Sequence, residues 1–372
     1  MAQNIVIVGG GPAGVVLFNE FGSKLSASEA SVIMVTPRPY FTWLPACPRM
    51  LVTEDGELEK RVLMPFPDNF NEGNRKVVLS KVVSIHDGEE KAQRFVTLDN
   101  GETIEFSVLI LAPGSKWDGP LGFPESKEED LEFIKKWRKE FAEAKDIVLI
   151  GGGAVGVELA GELVDEWPTK PVTLVHGHPL LLTATYPDKF RQDVVDRLIR
   201  RGVNLVLGDY VDDIIPKDGK ITTRKGTDVP ADLVISTRGG KPNTEFIRTL
   251  GSDVLDDGGY IRVRETLQLV DHPRIFAAGN AIDIPEGRHA YKAARQALIV
   301  AKNTVALVRG SDDPKTLWQY RGGRNSITLS IGKDGGACYF DVLWGLMFGD
   351  YFASLKKSRG LMIDMVKRRL QL

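Results

Sequence analysis

The chain has 372 residues, of which 42% are hydrophobic and 26% are charged, and its formal net charge is -2. Such a composition is typical of a globular protein with two domains and an extension, and it argues against a disordered or fibrous chain. The weak net charge argues against nucleic-acid binding, which usually requires a basic excess. Cys47 and Cys338 are too few for a disulfide scaffold and suit a reducing compartment. Because the N-terminus lacks a secretory pattern and no long apolar run occurs, we expect a cytoplasmic protein.

The first motif is a glycine turn that follows the first predicted strand. Residues 4–8 are apolar and β-branched, and a GxGxxG pattern over 9–14 leads into an apolar-periodic helix over 15–25. In such a unit the glycines permit a tight turn, a close approach of pyrophosphate to the backbone, and packing of helix on strand. The pattern therefore predicts a dinucleotide site. Its turn residues are Gly9, Gly11, Pro12, Ala13 and Gly14.

The end of the second predicted strand, 31–35, carries the next candidate contact. An acidic residue at this point usually holds a ribose hydroxyl, but here the strand ends in Thr36. A threonine hydroxyl can still form that hydrogen bond without the help of a charge. We expect Thr36 and the nearby Arg38 to belong to the first cofactor site.

A second glycine turn repeats the arrangement and predicts a second dinucleotide site. Residues 146–150 form an apolar strand, a GxGxxG pattern follows over 151–156, and a further strand is predicted over 172–175. After that strand the acidic position is occupied by His176, which permits NADPH as well as NADH because no carboxylate repels a 2′-phosphate. The predicted contacts of this turn are Gly151, Gly153, Val155, Gly156 and Glu158.

In chain order, these units and the segments between them resemble a known family. The strand 108–115 (LILAPGS at its end), the loop 238–243 (RGGKPN), the strand 275–280 (IFAAGN) and the C-terminal sequence KSR at 357–359 complete the pattern. Together they resemble the two-dinucleotide-binding-domain flavoproteins, the superfamily of glutathione reductase and type II NADH dehydrogenase. Within it, the chain is most similar to the apoptosis-inducing-factor-like group that contains the ferroptosis suppressors.

The resemblance implies an α/β fold with two Rossmann-like dinucleotide-binding domains, arranged as in glutathione reductase, and a small C-terminal α+β region. The FAD-binding domain would be split over 1–115 and 241–310, around an NAD(P)H-binding domain at 116–240. The region 311–372 would then form the C-terminal part, with amphipathic helices.

The resemblance also implies FAD at the first turn, NADPH or NADH at the second, and a quinone or similar small apolar molecule as electron acceptor. It assigns further cofactor contacts to Pro113, Gly114, Gly239, Gly279 and Asn280, of which the last two would touch the ribityl chain of FAD. Four positions depart from the family pattern, namely Thr36, Pro113, Arg238 and Asn280. We interpret them as a loosened or tuned flavin site, since asparagine keeps a hydrogen-bond acceptor but loses the charge. A degenerate flavoprotein that acts as a binding module stays an alternative.

The electron acceptor distinguishes the members of such a superfamily. Disulfide reductases need a CxxxxC pair beside the flavin, and Cys47 has no partner at that spacing. Cys47 is then either a lone redox thiol or a small buried apolar residue. A flavin-dependent oxidase or monooxygenase acting on a specialised metabolite is a further alternative.

Two charged residues are candidates for a catalytic role. The resemblance places Lys357 beside the flavin and the quinone entrance, where a cation would stabilise negative charge on the reduced ring or the acceptor. Glu158 could contact the nicotinamide ribose or ring edge. The alternatives are a solvated lysine in a basic run and an acid that favours the start of a helix.

The C-terminal segment carries a stripe of large apolar residues. Their spacing of i, i+3, i+4, i+7, i+8 and i+11 predicts one amphipathic helix over 344–355. From residue 341 onward six basic and three acidic residues give the segment a charge of +3. Such a helix could lie at a membrane surface, pack on the body of the protein or form a homodimer seam. The stripe consists of Trp344, Met347, Phe348, Tyr351, Phe352 and Leu355.

Overall fold

The computed structural model of the chain describes residues 2–88, 94–311 and 316–372. Its N-terminal part alternates strands and helices from β1 onward. The strands are β1 (Gln3–Val8), β2 (Ala30–Thr36), β3 (Tyr40–Thr42), β4 (Leu63–Pro65), β5 (Arg75–Leu79), β6 (Val82–Asp87), β7 (Arg94–Leu98), β8 (Thr103–Glu105) and β9 (Val108–Leu111). The helices are α1 (Pro12–Lys24), α2 (Cys47–Val52) and α3 (Leu58–Val62).

The middle part repeats this alternation around the second glycine turn. Its strands are β10 (Ser115–Lys116), β11 (Ile147–Ile150), β12 (Val172–His176), β13 (Asn204–Leu207), β14 (Lys220–Thr222), β15 (Asp228–Pro230), β16 (Leu233–Ser236) and β17 (Lys241–Pro242). Its helices are α4 (Lys127–Glu143), α5 (Ala154–Glu166) and α6 (Asp188–Arg200).

The chain then returns to the first sheet and ends in a small C-terminal region. The return consists of β18 (Ile275–Ala277) and α7 (Ala290–Val308). The C-terminal region contains β19 (Ile327–Ser330), β20 (Gly336–Phe340), β21 (Leu346–Phe348), α8 (Asp350–Ala353), a π-helical turn (Ser354–Ser358) and α9 (Ile363–Leu370).

The first sheet has the strand order β18-β9-β1-β2-β5, and its strands run parallel. Its central strand β1 is buried from Ile5 to Val8, as expected for a parallel strand covered on both faces. Helix α1 packs against α7 beside this sheet. Because parallel strands end at a common edge, the first glycine turn, Thr36, Pro113 and Gly279 all lie at one edge of the sheet.

The second sheet is also parallel, with the order β13-β12-β11-β16. The two segments that connect it to the first sheet pair with each other as β10 and β17, in which Ser115 lies opposite Pro242 and Lys116 opposite Lys241. These short strands place the two connecting segments, the crossings between the sheets, side by side. The second glycine turn lies at the carboxyl edge of the second sheet, after β11.

The helix predicted over 344–355 is wrong, because the structure forms a β-hairpin followed by a short helix there. Strand β21 pairs with β20 in an antiparallel register, with Cys338 opposite Phe348. The apolar spacing fits a helix, but Gly345 has a φ of +92°, which ends regular structure at the hairpin turn. Helical structure begins after Gly349, with α8 and the π-helical turn.

Candidate functional site

The first glycine turn leaves room for a side chain at only one of its three motif glycines. Gly9 has a φ of +111°, and a Cβ there would lie 2.2 Å from the carbonyl oxygen of Ala112. A Cβ on Gly14 would lie 1.8 Å from the carbonyl oxygen of Gly9. A Cβ on Gly11 would have no atom within 4 Å, so this stretch of backbone is open to a ligand.

The second turn has the same construction. Gly151 has a φ of +125°, and a Cβ on Gly156 would lie 2.0 Å from the Gly151 carbonyl oxygen. The Thr237 hydroxyl, at the end of β16, donates to that same carbonyl at 2.8 Å. Gly153, like Gly11, has no atom within 4 Å of a Cβ position. Two turns of this design therefore present open backbone at the edges of two different sheets.

Both turns lead into helices whose N-termini are free to bind an anion. Gly11 and Gly153 are the N-cap residues of α1 and α5, neither has a side-chain cap, and neither helix has an acidic residue in its first turn. Pro12, Ala13 and Val155 belong to those first turns. First-turn N–H groups lack acceptors within the helix and carry the positive end of its dipole. The residues present therefore fit the pyrophosphates of FAD and of NAD(P)H.

His176 lies against the second turn and is neutral. The Gly152 N–H donates to Nδ1 of His176 at 3.1 Å, so the imidazole proton is on Nε2. That Nε2 is buried and finds no partner within the described residues. Burial, together with the nearby His178 and Arg191, lowers the pKa of His176. The side chain of His176 itself is therefore neither a carboxylate that would repel a 2′-phosphate nor a cation that would attract one.

Thr36 and Arg38 follow the end of β2 at the edge of the first sheet. Thr36 is buried, and its hydroxyl oxygen lies 2.9 Å from the position that a Cβ would take on Gly10. The Arg38 guanidinium donates to the carbonyl oxygens of Phe123 and Pro124 at 2.6 and 2.7 Å. Thr36 thus lies beside the glycine turn, whereas Arg38 holds the loop that precedes α4.

Pro113, Gly114 and Gly239 belong to the two crossings between the sheets. Pro113 Cα lies 3.4 Å from a Cβ position on Gly9, so the crossing packs on the first glycine turn. Gly114 and Gly239 have φ values of +68° and +102°, and a Cβ on either would meet open space. The Asn243 N–H donates to the Gly114 carbonyl at 3.0 Å and ties the crossings together.

Gly279 and Asn280 line a pocket near the N-termini of α1 and α7. A Cβ on Gly279 would lie 3.7 Å from the Cβ of Ala13 and 3.8 Å from that of Ala293, and these residues belong to the two helices. The Gly279 N–H donates to Oε1 of Gln296 at 2.7 Å. The pocket also includes Glu286, His289, Lys292 and Gln296.

His289, which the sequence patterns did not single out, is the N-cap residue of α7. Its Nε2 lies 3.0 Å from the Tyr186 hydroxyl, which belongs to the segment before α6. Burial and the nearby charges of Lys292 and Lys357 lower the pKa of His289 to about 4, so the ring is neutral at pH 7. Lys357 is thus one of the charges that act on the His289 ring, which lines this pocket.

The two predicted catalytic residues form a buried ion pair with each other. The Lys357 ammonium donates to Oε1 of Glu158 and, at 3.2 Å, to the Thr328 carbonyl. The Ser330 N–H donates to the same Glu158 oxygen at 3.2 Å. Lys357 is 7% exposed and Glu158 5%, so the alternative of a solvated lysine is wrong. Glu158 lies two residues after the second glycine turn, so this ion pair holds the Lys357 ammonium close to the second sheet.

Arg49 and Glu162 form a second buried pair that the sequence patterns missed. The Arg49 guanidinium contacts both carboxylate oxygens of Glu162, at 2.7 and 2.8 Å. Glu162 follows Glu158 by one helical turn on α5. Both acids lie in the buried stretch 156–164 of α5, whose other residues are apolar. Two acids in such a stretch indicate two cationic partners but do not identify them.

Comparison with known proteins agrees with this arrangement. The family model described as pyridine nucleotide-disulphide oxidoreductase matches residues 3–297. The chain is 41% identical to "FAD-dependent oxidoreductase FVFD30" of Flammulina velutipes, over 86% of this chain and 98% of that protein. It is 32% identical to ferroptosis suppressor protein 1 of Mus musculus, over 98% and 94% of the two chains.

A solved structure shares the fold. The sulfide:quinone oxidoreductase of Aquifex aeolicus superposes with a TM-score of 0.75 at 20% identity, covering 100% of this chain and 95% of that one. The predicted α/β fold class and the predicted family are confirmed. The family is named for pyridine nucleotides, and the fungal relative is named for FAD. The predicted cofactors, FAD and a nicotinamide nucleotide, are therefore confirmed as those of the family. The chain belongs to the pyridine nucleotide-disulphide oxidoreductase family, in its apoptosis-inducing-factor-like group.

Proposed function

We propose that this protein is an FAD-dependent NAD(P)H oxidoreductase that passes electrons to a quinone or a similar small apolar acceptor. The observation that carries the proposal is the buried Lys357–Glu158 pair, which joins the second glycine turn to the C-terminal region. We assign FAD to a domain of residues 1–115 and 241–310 and NAD(P)H to 116–240. The pairing of β10 with β17 at the two crossings supports this division.

The chain's own residues would bind and orient the two cofactors. The N-termini of α1 and α5 would hold the two pyrophosphates, and the open backbone at Gly11 and Gly153 admits them. Bound FAD would accept a hydride from NAD(P)H and supply the electrons for the acceptor. Lys357 would place a positive charge where negative charge develops, and Glu158 would hold its ammonium in place. Asn280 would hydrogen-bond the flavin without adding a negative charge.

The proposed acceptor is apolar, and the electrons would reach it without passing through a protein thiol. Cys47 is fully buried, and its thiol donates a long hydrogen bond to the Trp43 carbonyl, with 3.7 Å between Sγ and the oxygen. Burial raises the pKa of the Cys47 thiol far above its ordinary value. A thiol of this kind is not the thiolate that redox exchange requires. The alternative of a lone redox cysteine is therefore disfavoured.

An exposed apolar tip on the C-terminal hairpin supports contact with a membrane. Leu343 and Trp344 form the turn between β20 and β21, with φ values of +47° and +66°, and Trp344 is fully exposed. Tyr351 and Leu355 are also exposed, and Lys356 lies beside them. Indole rings favour the membrane–water interface, and nearby cations favour anionic lipid. Among the described residues no helix is long and apolar enough to cross a bilayer.

We predict that quinone, and not oxygen, is the fast acceptor. The FAD-loaded protein is reduced anaerobically with NADPH or NADH and mixed in a stopped-flow instrument with a short-chain ubiquinone or with aerated buffer. Reoxidation by quinone should be about 100-fold faster, because a positioned acceptor gains orientation that dissolved oxygen lacks. Equal or faster reoxidation by air would instead support the oxidase or monooxygenase alternative.

We predict that neither cysteine reacts while the protein is folded. Burial raises the pKa of both thiols, so Ellman's reagent should titrate no thiol at pH 8 in the native protein and both thiols after denaturation. The variant Cys47→Ala should keep its activity with quinone. A rapidly titrating thiol that disappears in Cys47→Ala, together with loss of activity, would restore the redox-thiol alternative.

We predict that Trp344→Glu weakens binding to vesicles of phosphatidylcholine with an anionic lipid, measured by co-sedimentation. Trp318 is 57% exposed and lies outside the hairpin, so Trp318→Glu is the matched control and should bind as the parent does. The account of the tip fails if both variants bind equally. If the parent stays in the supernatant and Trp344→Glu dissociates a dimer, the same face is a homodimer seam instead.

A further inference from the structure

Four charged side chains are buried together where three parts of the chain meet. Helix α5 contributes Glu158 and Glu162, the π-helical turn contributes Lys357, and α2 contributes Arg49. All four are less than 10% exposed. Buried ion pairs contribute little stability compared with apolar side chains of similar volume, since desolvation offsets their attraction. The cluster therefore calls for an explanation other than stability.

Arg49 contacts both sides of this cluster. Its Nε and Nη2 bind Glu162, and its Nη1 donates to the carbonyl oxygen of Ser358, the residue after Lys357. The Ser358 hydroxyl in turn donates to the Gly335 carbonyl at 2.6 Å. One guanidinium thus fixes both the acid next to Glu158 and the backbone next to Lys357.

The backbone that carries Lys357 is a π-helical turn, in which hydrogen bonds join residues five apart. The Arg359 N–H donates to the Ser354 carbonyl at 3.2 Å in this pattern. Such wide turns are rare and are frequently found at functional sites. On its far side the segment is held by Trp43, whose Nε1 donates to the Leu361 carbonyl at 2.8 Å. Trp43 and Arg49, close in the sequence, therefore hold the last residue of the turn and the segment that follows it.

We propose that Arg49 is a positioning residue that acts through Glu162 and Ser358 to hold the Lys357 ammonium on Glu158. A planar guanidinium can bind a carboxylate with two donors and still offer a third to a carbonyl. This geometry sets the direction of Lys357 relative to the second glycine turn. The inference rests on the proposed function for the role of Lys357 in electron transfer, but the placement of Lys357 can be measured without it.

A purely structural role for Arg49 makes a different prediction. If the Arg49–Glu162 pair has no role except to hold α2 against α5, apolar contacts between two methionines would replace the ion pair, and Lys357 would stay on Glu158. If Arg49 positions Lys357, the double variant would fold normally and still release Lys357, because the hydrogen bond to Ser358 is lost. The double variant separates the two roles even where Arg49→Met alone fails to fold, since it removes the Glu162 carboxylate together with its guanidinium partner.

The test compares the double variant, which carries both Arg49→Met and Glu162→Met, with the parent and with Arg61→Gln. Arg61 forms an exposed ion pair with Asp364 at 3.2 Å and is the matched control. Lysine acetylation by a soluble reagent is followed by mass spectrometry, with the exposed Lys356 as internal reference. We expect Lys357 to be protected in the parent and in Arg61→Gln, and to be acetylated at the rate of Lys356 in the double variant.

Kinetics of the FAD-loaded proteins complete the test. We expect the double variant to remain folded, with a urea midpoint below the parent's because a released Lys357 leaves Glu158 unpaired. It should keep its KM for NAD(P)H and lose about 100-fold or more in kcat with quinone, since a displacement of even about 1 Å can cost that much. A double variant in which Lys357 stays protected, or in which kcat is unchanged, would overturn the proposal. If the parent itself transfers no electrons to quinone, the proposed function fails while the acetylation result still tests the role of Arg49.

Discussion

The need to keep buried charges paired constrains how the parts of this chain can be arranged. Glu158 and Glu162 lie on α5, their partners Lys357 and Arg49 come from the C-terminal region and from α2, and separating these elements would leave ions unpaired in a poorly solvating interior. Helix α5, helix α2 and the C-terminal turn are therefore held in one arrangement. That arrangement brings a cation, Lys357, to within electrostatic reach of His289 at the start of α7.

The glycine turns provide the other half of the site, and here the constraint is one of space. Gly14 and Gly156 have carbonyl oxygens within 2.0 Å of where a Cβ would be, so helix and turn pack more closely than any other residue permits. Gly11 and Gly153, by contrast, face open space at uncapped helix N-termini. Close packing and an open approach for phosphate thus alternate within six residues. This division of roles is the reason that three glycines recur at this spacing.

The turns could be predicted from the sequence because strand, glycine spacing and helix are all local features. The resemblance indicated Lys357, and the position after the second glycine turn indicated Glu158. Their ion pair was not predicted, since 199 residues separate the two in the chain. Arg49 was missed because nothing near it in the sequence indicates a partner 113 residues away. The end of the hairpin, 344–348, is wrongly included in the helix predicted over 344–355 because the apolar spacing satisfies a period of 3.6. Only the positive φ of Leu343, Trp344 and Gly345, a tertiary outcome, distinguishes the two.

The central claim is that this chain takes up FAD and reduces it with a nicotinamide nucleotide, and an absorbance spectrum tests it most directly. The purified protein, incubated with FAD and freed of excess, is examined before and after anaerobic addition of NADPH and, in a separate sample, NADH. We predict flavin bands that bleach with about one equivalent of nucleotide, because a nicotinamide delivers one hydride to one flavin. A protein without flavin bands, or bands that neither nucleotide bleaches, would contradict the claim and favour a degenerate flavoprotein that acts as a binding module.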